Sequence, residues 1–310
     1  MNKQLLKKIA TKIIGAILII SIFYFLGKEL SANWAQIRAY DFDFDIPTLA
    51  AATLALAASY AVLAFGWFLL LVVFRHPIAL HRVVPYFFIT QPAKYIPGKV
   101  WLAVARLKFC NAHNVPPKIT FLSTFEEGSL EALAGVYVSV LAILQMPELS
   151  KYSLWGVVAI ILFGLILLIP HVFYFFINLY LRGLRHPQIP QEKWVSFGQL
   201  FILQVTYVVG LLGFGIAQLT FLQSFAPVAV QHIPFLVSIG ALSIVAGVVA
   251  IFAPGGLGVR EGVWYLALQS ITAPHIALIY AFVSRFWMIV IEALLAVAAL
   301  PIVWFEKPHK

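Results

Sequence analysis

Long apolar runs separated by short polar connections form the main pattern of this chain. A membrane-spanning helix needs about 20 apolar residues at a rise of about 1.5 Å per residue. Six runs meet this requirement, and they cover residues 9–27, 47–74, 119–146, 153–181, 196–222 and 276–303. The pattern therefore predicts an all-α polytopic membrane protein with about six full transmembrane helices.

Two further apolar stretches, residues 83–109 and 234–273, are each interrupted by prolines, glycines and charges. The sequence QPAKYIPGK divides the first stretch, and APGGLGVREG divides the second. The first stretch follows a span that runs from outside to inside, so it enters the membrane from the cytoplasm. The second follows a span that runs from inside to outside, so it enters from the opposite side. Irregular backbone at membrane depth is tolerated only where it is buried in protein or lines a wet cavity. We expect two broken or re-entrant hairpins that form an inverted repeat, as in many transporters. Whether residues 234–253 span fully or are re-entrant stays open.

Composition supports one integral membrane domain over residues 1–310. Hydrophobic residues make up 62% of the chain and charged residues 11%, whereas soluble domains have roughly 45–50% and about 25%. The first half, about residues 1–181, would contain hairpin 83–109, and the second, about 196–303, would contain hairpin 234–273. The single cysteine excludes a disulfide framework.

The net charge of +9 is spread as small basic groups beside apolar segments. This distribution is typical of topology signals and headgroup contacts, and it argues against a nucleic-acid partner. The basic loops fall on one side if the N-terminus is cytoplasmic, so both termini are expected in the cytoplasm. We also expect the first apolar run to remain as an uncleaved helix, because no convincing small-residue cleavage site follows it.

The glycine motif at residues 253–262 offers chemistry that suits an anion. Gly255, Gly256 and Gly258 allow backbone N–H groups to turn inward, and a new helix can start at Val259. An N–H nest at a helix N-terminus binds anions, and Arg260 can add a charge-assisted bond to phosphate. A hairpin tip with Arg260 paired internally is the other interpretation, and both stay open. The motif lacks the lysine and hydroxyl residue of a phosphate-binding Walker loop.

The remaining intramembrane charges lie on three segments. Glu127 and Glu131 share a helix face, where like charges repel, so a cation or proton must relieve them. Arg285 and Glu292 share a face of the last span and should point to the protein interior or a cavity. The candidate headgroup contacts are therefore Gly255, Gly256, Gly258, Arg260, Glu261, Arg285, Arg106, Lys99, Glu127, Glu131 and Glu292. Internal ion pairing of these charges remains the alternative.

No catalytic set is recognisable in the sequence. There is no histidine pair with metal-ligand spacing, and Ser129 lacks the pattern of a nucleophile elbow. We therefore predict no enzyme activity, no catalytic residues, no metal and no cofactor.

The motifs together resemble one known family. FAPGGLGVREG followed by AFVSRFW, with the earlier QPAKYIPGKVW, Arg106 and FEEGSLEALAG, resembles the lysylphosphatidylglycerol synthase transmembrane region family, also called UPF0104. The resemblance runs in order over most of the chain. It implies a lipid-handling protein of the bacterial cytoplasmic membrane, because in aminoacyl-phosphatidylglycerol synthases this region acts as a flippase and a separate soluble domain transfers the amino acid. Since the sequence stops at WFEKPHK, we expect no such domain here.

The expected function is thus transport of a phospholipid or a lipid-linked anionic headgroup across the cytoplasmic membrane. Membrane lipids, phospholipid or polyprenyl-linked, are the expected partners. Two alternatives remain: a membrane enzyme acting on a lipid-linked substrate by glycosyl or aminoacyl transfer, and a non-transporting partner of a separate synthase. A homodimer is also open.

Overall fold

The computed structural model describes residues 24–40, 43–96, 101–140, 153–183, 188–250 and 253–304. Every regular element in these ranges is a helix, which confirms the all-α prediction. The α-helices are α1 (residues 24–32), α2 (Trp34–Ala39), α3 (Ile46–Val73), α4 (Leu80–Thr90), α5 (Trp101–Ala112), α6 (Pro117–Ser139), α7 (Ser153–Leu167), α8 (Pro170–Gly183), α9 (Phe197–Gln223), α10 (Ile233–Val249), α11 (Val259–Leu268) and α12 (Pro274–Trp304). Short 3₁₀ turns occupy Gln91–Tyr95, Gln191–Lys193, Val230–His232 and Pro254–Gly256.

Four helices in the described ranges are long and apolar enough to cross a membrane. They are α3, α9, α12 and the segment Val230–Val249, which contains α10. The bent pair α7–α8 makes a fifth if it counts as one span. The chain is therefore a multi-pass membrane protein in its described part, but the predicted number of six full spans is too high there.

Three of the predicted spans account for the difference. Residues 9–27 lie almost entirely outside the described residues. The run 119–146 forms α6, whose 23 residues include three glutamates and a lysine, so it is less apolar than the other spans. The run 153–181 is bent by 79° between α7 and α8. Pro170 begins α8, and proline has no N–H and clashes with the carbonyl four residues earlier, so one straight helix cannot pass through it.

Small residues set the spacing of the central helices. A Cβ at Gly210 of α9 would lie 2.6 Å from Leu63 Cδ2 of α3, and the Ser59 hydroxyl donates to the Gly210 carbonyl over 2.8 Å. A Cβ at Gly240 of α10 would lie 3.0 Å from Gly215 Cα of α9. Apolar helices in lipid gain little from hydrophobic burial, so close backbone approach through glycine is a main source of their packing energy.

The two interrupted stretches both contain breaks between short helices. In the first, α4 with 11 residues is followed by the turn Gln91–Tyr95 and by α5 with 12 residues. In the second, α10 is followed by the turn Pro254–Gly256 and by the 10 residues of α11. Length and hydropathy place α10 among the spans, whereas α4, α5 and α11 are too short to cross alone. The inverted orientation of the two breaks stays a prediction.

Candidate functional site

The two breaks meet inside the protein, where α12 packs beside them. A Cβ at Gly255 in the second break would lie 2.6 Å from Tyr95 Cδ1 in the first break. The Arg285 guanidinium of α12 stacks on the same Tyr95 ring, with its Cζ 5.1 Å from the ring centroid. We call this region the junction: residues 94–95, residues 255–261, Arg285 and Glu292.

Three glycines give the second break its shape. Gly255, Gly256 and Gly258 have φ values of 58°, 74° and 82°, in the left-handed region that residues with a Cβ rarely adopt. The Gly256 N–H donates to the Ala253 carbonyl over 3.0 Å, and the Gly255 carbonyl accepts from Arg285 Nη2 over 2.6 Å. Gly255 and Gly256 thus hold the break together, and the Gly256 N–H is not free for a ligand.

The N-terminus of α11 has hydrogen-bond donors that find no acceptor among the described residues. The helix starts at Val259, as the sequence predicted, and its first backbone bond runs from the Gly262 N–H to the Gly258 carbonyl over 2.8 Å. Gly258 at the N-cap has no side chain to cap the helix. The four N–H groups of residues 258–261 have no acceptor within the described part of the chain. Unsatisfied N–H groups and the helix dipole give this end a partial positive charge.

Arg260 stands beside these donors, and no anionic partner for it occurs in the described part of the chain. A Cβ at Gly256 would lie 2.8 Å from Arg260 Cδ, and a Cβ at Gly247 would lie 3.1 Å from the same atom. The methylenes of Arg260 therefore lie against both glycines. Its guanidinium lies 5.5 Å from the Phe214 ring centroid. Among the described residues, no carboxylate lies within 4.0 Å of it and no hydrogen bond reaches it. Arg260 is therefore a partly buried cation with its donors available.

The ion pair next to it, Arg285 with Glu261, is buried but poorly hydrogen-bonded. Arg285 Nε lies 3.2 Å from Glu261 Oε1, yet Arg285 Nη1 and both Glu261 oxygens have no hydrogen bond to any described residue. A cavity of about 10 Å³ remains between them, lined also by Gln218 and Trp264. That volume holds roughly one water molecule. The junction is closed in this conformation, and a lipid headgroup does not fit.

Glu292 connects the first break to the rest of the site. Its carboxylate accepts from Lys94 Nζ over 2.6 Å, from the Tyr95 hydroxyl over 3.0 Å and from the Tyr60 hydroxyl of α3. The side chain is almost fully buried, and these three donors satisfy it. The expectation that Arg285 and Glu292 face the protein interior is confirmed.

A second ion pair, Arg106 with Glu127, joins α5 to α6. Arg106 Nη2 donates to Glu127 Oε1 over 3.1 Å, Nη1 donates to Oε2, and the guanidinium lies 4.0 Å from the Trp67 ring centroid. Arg106 is completely buried. Of the two interpretations given for Arg106 and Glu127, internal pairing is the one that the contacts support.

The other two glutamates of α6 differ from Glu127. Glu126 accepts from the Tyr174 hydroxyl of α8 over 2.8 Å, away from the junction, and its buried second oxygen has no partner among the residues that the structure describes. Glu131 is partly buried, and nothing in the described ranges forms a hydrogen bond or ion pair with it. One turn further along α6, a Cβ at Gly135 would lie 2.4 Å from Val245 Cγ2, so this part of α6 packs against α10.

The structure thus brings together most of the predicted residues. Those at the junction are Gly255, Gly256, Gly258, Arg260, Glu261, Arg285 and Glu292. Lys99 lies outside the described residues. Sequence reasoning missed the roles of Tyr60 and Tyr95, because a tyrosine in an apolar segment cannot be told from an interfacial aromatic until its hydroxyl partner is known.

Comparison of the chain with protein-family models found no match, and no curated protein matched it either. The family resemblance therefore rests on the motifs alone.

Proposed function

We propose that this chain is a flippase-like lipid transporter, related to the lysylphosphatidylglycerol synthase transmembrane region family, that moves a phospholipid or lipid-linked anionic headgroup. The observation that carries the proposal is Arg260 at the start of α11, a cation that has no ion pair or hydrogen bond among the described residues and that stands beside four N–H groups with no acceptor there. Neither the all-α membrane fold nor the composition would distinguish a transporter from a membrane enzyme or from a synthase partner.

An unpaired arginine inside a membrane protein is costly, and such residues commonly mark the path of a substrate. Phosphate suits this position for two reasons. Helix N-termini bind phosphate through N–H groups and the helix dipole, and the arginine fork adds bonds that match phosphate geometry. Lipid phosphate is the anion available at the membrane surface, which makes the headgroup the natural partner of Arg260.

The closed junction fits one stage of a transport cycle. A headgroup needs far more room than one water molecule, so the two breaks must separate for it to enter. Among the described residues, the Tyr95 ring packs against Gly255 of the second break and against Arg285, and Lys94 and Tyr95 bind the first break to Glu292 of α12. Phosphate can compete for Lys94 and Arg285, which would couple headgroup entry to separation of the breaks.

The test is translocation by the purified protein in liposomes. Acyl-labelled phosphatidylglycerol is followed by chemical quenching of label in the outer leaflet, with Arg260→Ala, Arg260→Lys and the exposed control Arg38→Ala. A charge-assisted bond contributes about 1.5–3 kcal/mol, so Arg260→Ala should weaken headgroup affinity roughly tenfold to hundredfold. Lysine should restore part of it, and Arg38→Ala should behave as wild type.

The melting temperature in detergent is measured on the same preparations. Because no carboxylate of the described residues forms an ion pair with Arg260, Arg260→Ala should keep its stability while it loses transport. A destabilised Arg260→Ala whose folded fraction still binds lipid normally would remove the anion site. Formation of a glycosylated or aminoacylated product would instead identify a membrane enzyme, and neither transport nor product would favour the synthase partner.

A further inference from the structure

The small cavity at the junction is surrounded by charged groups that lack hydrogen bonds. It has a volume of about 10 Å³, and Arg260, Glu261, Arg285 and Gln218 all line it. Glu261 is 5% exposed and Arg285 is 7% exposed. Two nitrogens of Arg285, Nε and Nη1, and both oxygens of Glu261 are buried with no hydrogen-bond partner among the described residues. These atoms are therefore available to a ligand that can satisfy them better.

Glu261 does not cap its own helix, although its position would allow it. It is the third residue of α11, and a glutamate there commonly accepts a hydrogen bond from the backbone N–H of the N-cap residue, which is Gly258. Neither Glu261 oxygen makes that bond. The carboxylate instead lies 3.2 Å from Arg285 Nε of α12. Glu261 thus leaves the N–H groups at the start of α11 without a cap and serves as the countercharge of Arg285.

A phosphodiester would suit this place better than the carboxylate. Burying an ion pair costs solvation, and that cost is offset only when hydrogen bonds satisfy the remaining donors and lone pairs. The non-bridging oxygens of a phosphodiester can accept from several N–H groups, and Arg260 and Arg285 line the same cavity. Because the cavity holds roughly one water molecule, it cannot contain phosphate and the Glu261 carboxylate together. Entry of phosphate therefore requires Glu261 to leave.

From this cavity we infer that headgroup phosphate exchanges with the Glu261 carboxylate between Arg260 and Arg285, and that the displaced Glu261 takes up a proton. Phosphate takes both arginines, so Glu261 loses its countercharge. An isolated carboxylate is strongly disfavoured in an apolar interior and is neutralised instead. The new O–H bond forms on a Glu261 oxygen, with a proton from the water that enters as the breaks separate. The inference rests on the proposed lipid transport and adds its coupling to protons.

The other ionisable groups near α11 do not offer Glu261 a new countercharge. The helices that pack against α11 are α10 and α12, and α10 carries no ionisable side chain. The neighbouring groups already have partners: Tyr280 of α12 donates to Gln218, Lys94 and Tyr95 of the first break donate to Glu292, and Glu29 of α1 accepts from Tyr265. A proton is the counter-ion that these surroundings leave for Glu261. A fixed, water-bridged ion pair is the alternative, and it predicts lipid binding without proton uptake.

The experiment measures proton uptake when the purified full chain in detergent binds short-chain phosphatidylglycerol, whose phosphodiester stays ionised at neutral pH. Titration calorimetry in buffers of different ionisation enthalpy gives the number of protons taken up, and the affinity is measured at several pH values. The deacylated headgroup, glycerophosphoglycerol, is titrated in parallel. The variants are Glu261→Gln, Glu261→Asp and the matched control Glu192→Gln, which changes an exposed glutamate in the turn Gln191–Lys193. Melting temperatures are measured on each preparation.

The wild type should take up about one proton for each lipid bound, and because binding consumes that proton, the affinity should fall about tenfold for each unit of rising pH. Glutamine mimics the protonated side chain, so Glu261→Gln should bind lipid without proton uptake and with little dependence on pH. Glu261→Asp and Glu192→Gln should keep the uptake.

Lipid binding by the wild type without proton uptake, or uptake that Glu261→Gln retains, would overturn the inference and leave the proposed function standing. If Glu261→Gln does not fold, the proton number of the wild type and of Glu261→Asp still decides. Glycerophosphoglycerol that binds as tightly as the lipid would assign the site to a soluble phosphodiester and overturn the lipid part of the inference. Absence of lipid binding would count against both the inference and the proposed function.

Discussion

Replacing Arg106 with methionine tests whether the Arg106–Glu127 pair is structural. Methionine keeps much of the side-chain volume but removes the charge and all hydrogen-bond donors. Arg106 is completely buried, Glu127 is nearly so, and two guanidinium nitrogens bond the carboxylate. The change therefore leaves a buried carboxylate with no countercharge at hydrogen-bonding distance.

The expected loss of stability is large. Breaking a buried ion pair by removing one partner costs about 3–5 kcal/mol, because the remaining charge is uncompensated. Loss of the guanidinium from the Trp67 face, 4.0 Å from the ring centroid, adds about 0.5–2 kcal/mol. Removing both charges with Arg106→Met and Glu127→Leu should recover most of the ion-pair loss, since replacing a buried pair by apolar groups is often neutral.

The assay is thermal unfolding in detergent, together with lipid binding by the folded fraction. The control is Lys108→Met on the same helix, where the exposed side chain should change stability by no more than about 0.5 kcal/mol. Arg106→Met should unfold at a much lower temperature, and the double variant should approach wild type. If Arg106→Met were as stable as wild type and had lost lipid binding, Arg106 would be a headgroup contact and the ion-pair reasoning would be refuted.

Two further predictions concern the break and the topology. Gly256→Ala should destabilise the protein or impair its insertion, because Gly256 has a φ of 74° and the new Cβ would lie 2.8 Å from Arg260 Cδ. Gly262→Ala should be tolerated, because a Cβ there would have nothing within 4 Å. The melting temperatures of the two variants give the comparison. In a background free of Cys110, cysteines at the exposed positions Gln191 and Gln223 should react with impermeant reagents from opposite sides of the membrane, and labelling from the same side would contradict the positive-inside assignment.

The helices and their interruptions could be predicted from the sequence, because both signals are local. A long apolar run specifies a span, and clustered prolines and glycines interrupt it wherever they occur. Helices α3, α9 and α12 accordingly begin and end within a few residues of their predicted bounds, and α11 starts at Val259 as expected. The positive φ of Gly256 also followed from its local motif. The bend at Pro170 was missed although its signal is local too.

Which charge pairs with which was decided only by tertiary structure. Lys94 and Glu292 are 198 residues apart in sequence, and Arg285 reaches the Gly255 carbonyl 30 residues before it. Sequence reasoning identified Glu292, Arg285 and Gly255 as candidates, but internal pairing and ligand contact both stayed open, because one helix face can turn toward several neighbours. The glycine contacts that set the distance between helices determine which side chains come within hydrogen-bonding range. Arg106 and Glu127, 21 residues apart, meet in this way across the contact between α5 and α6.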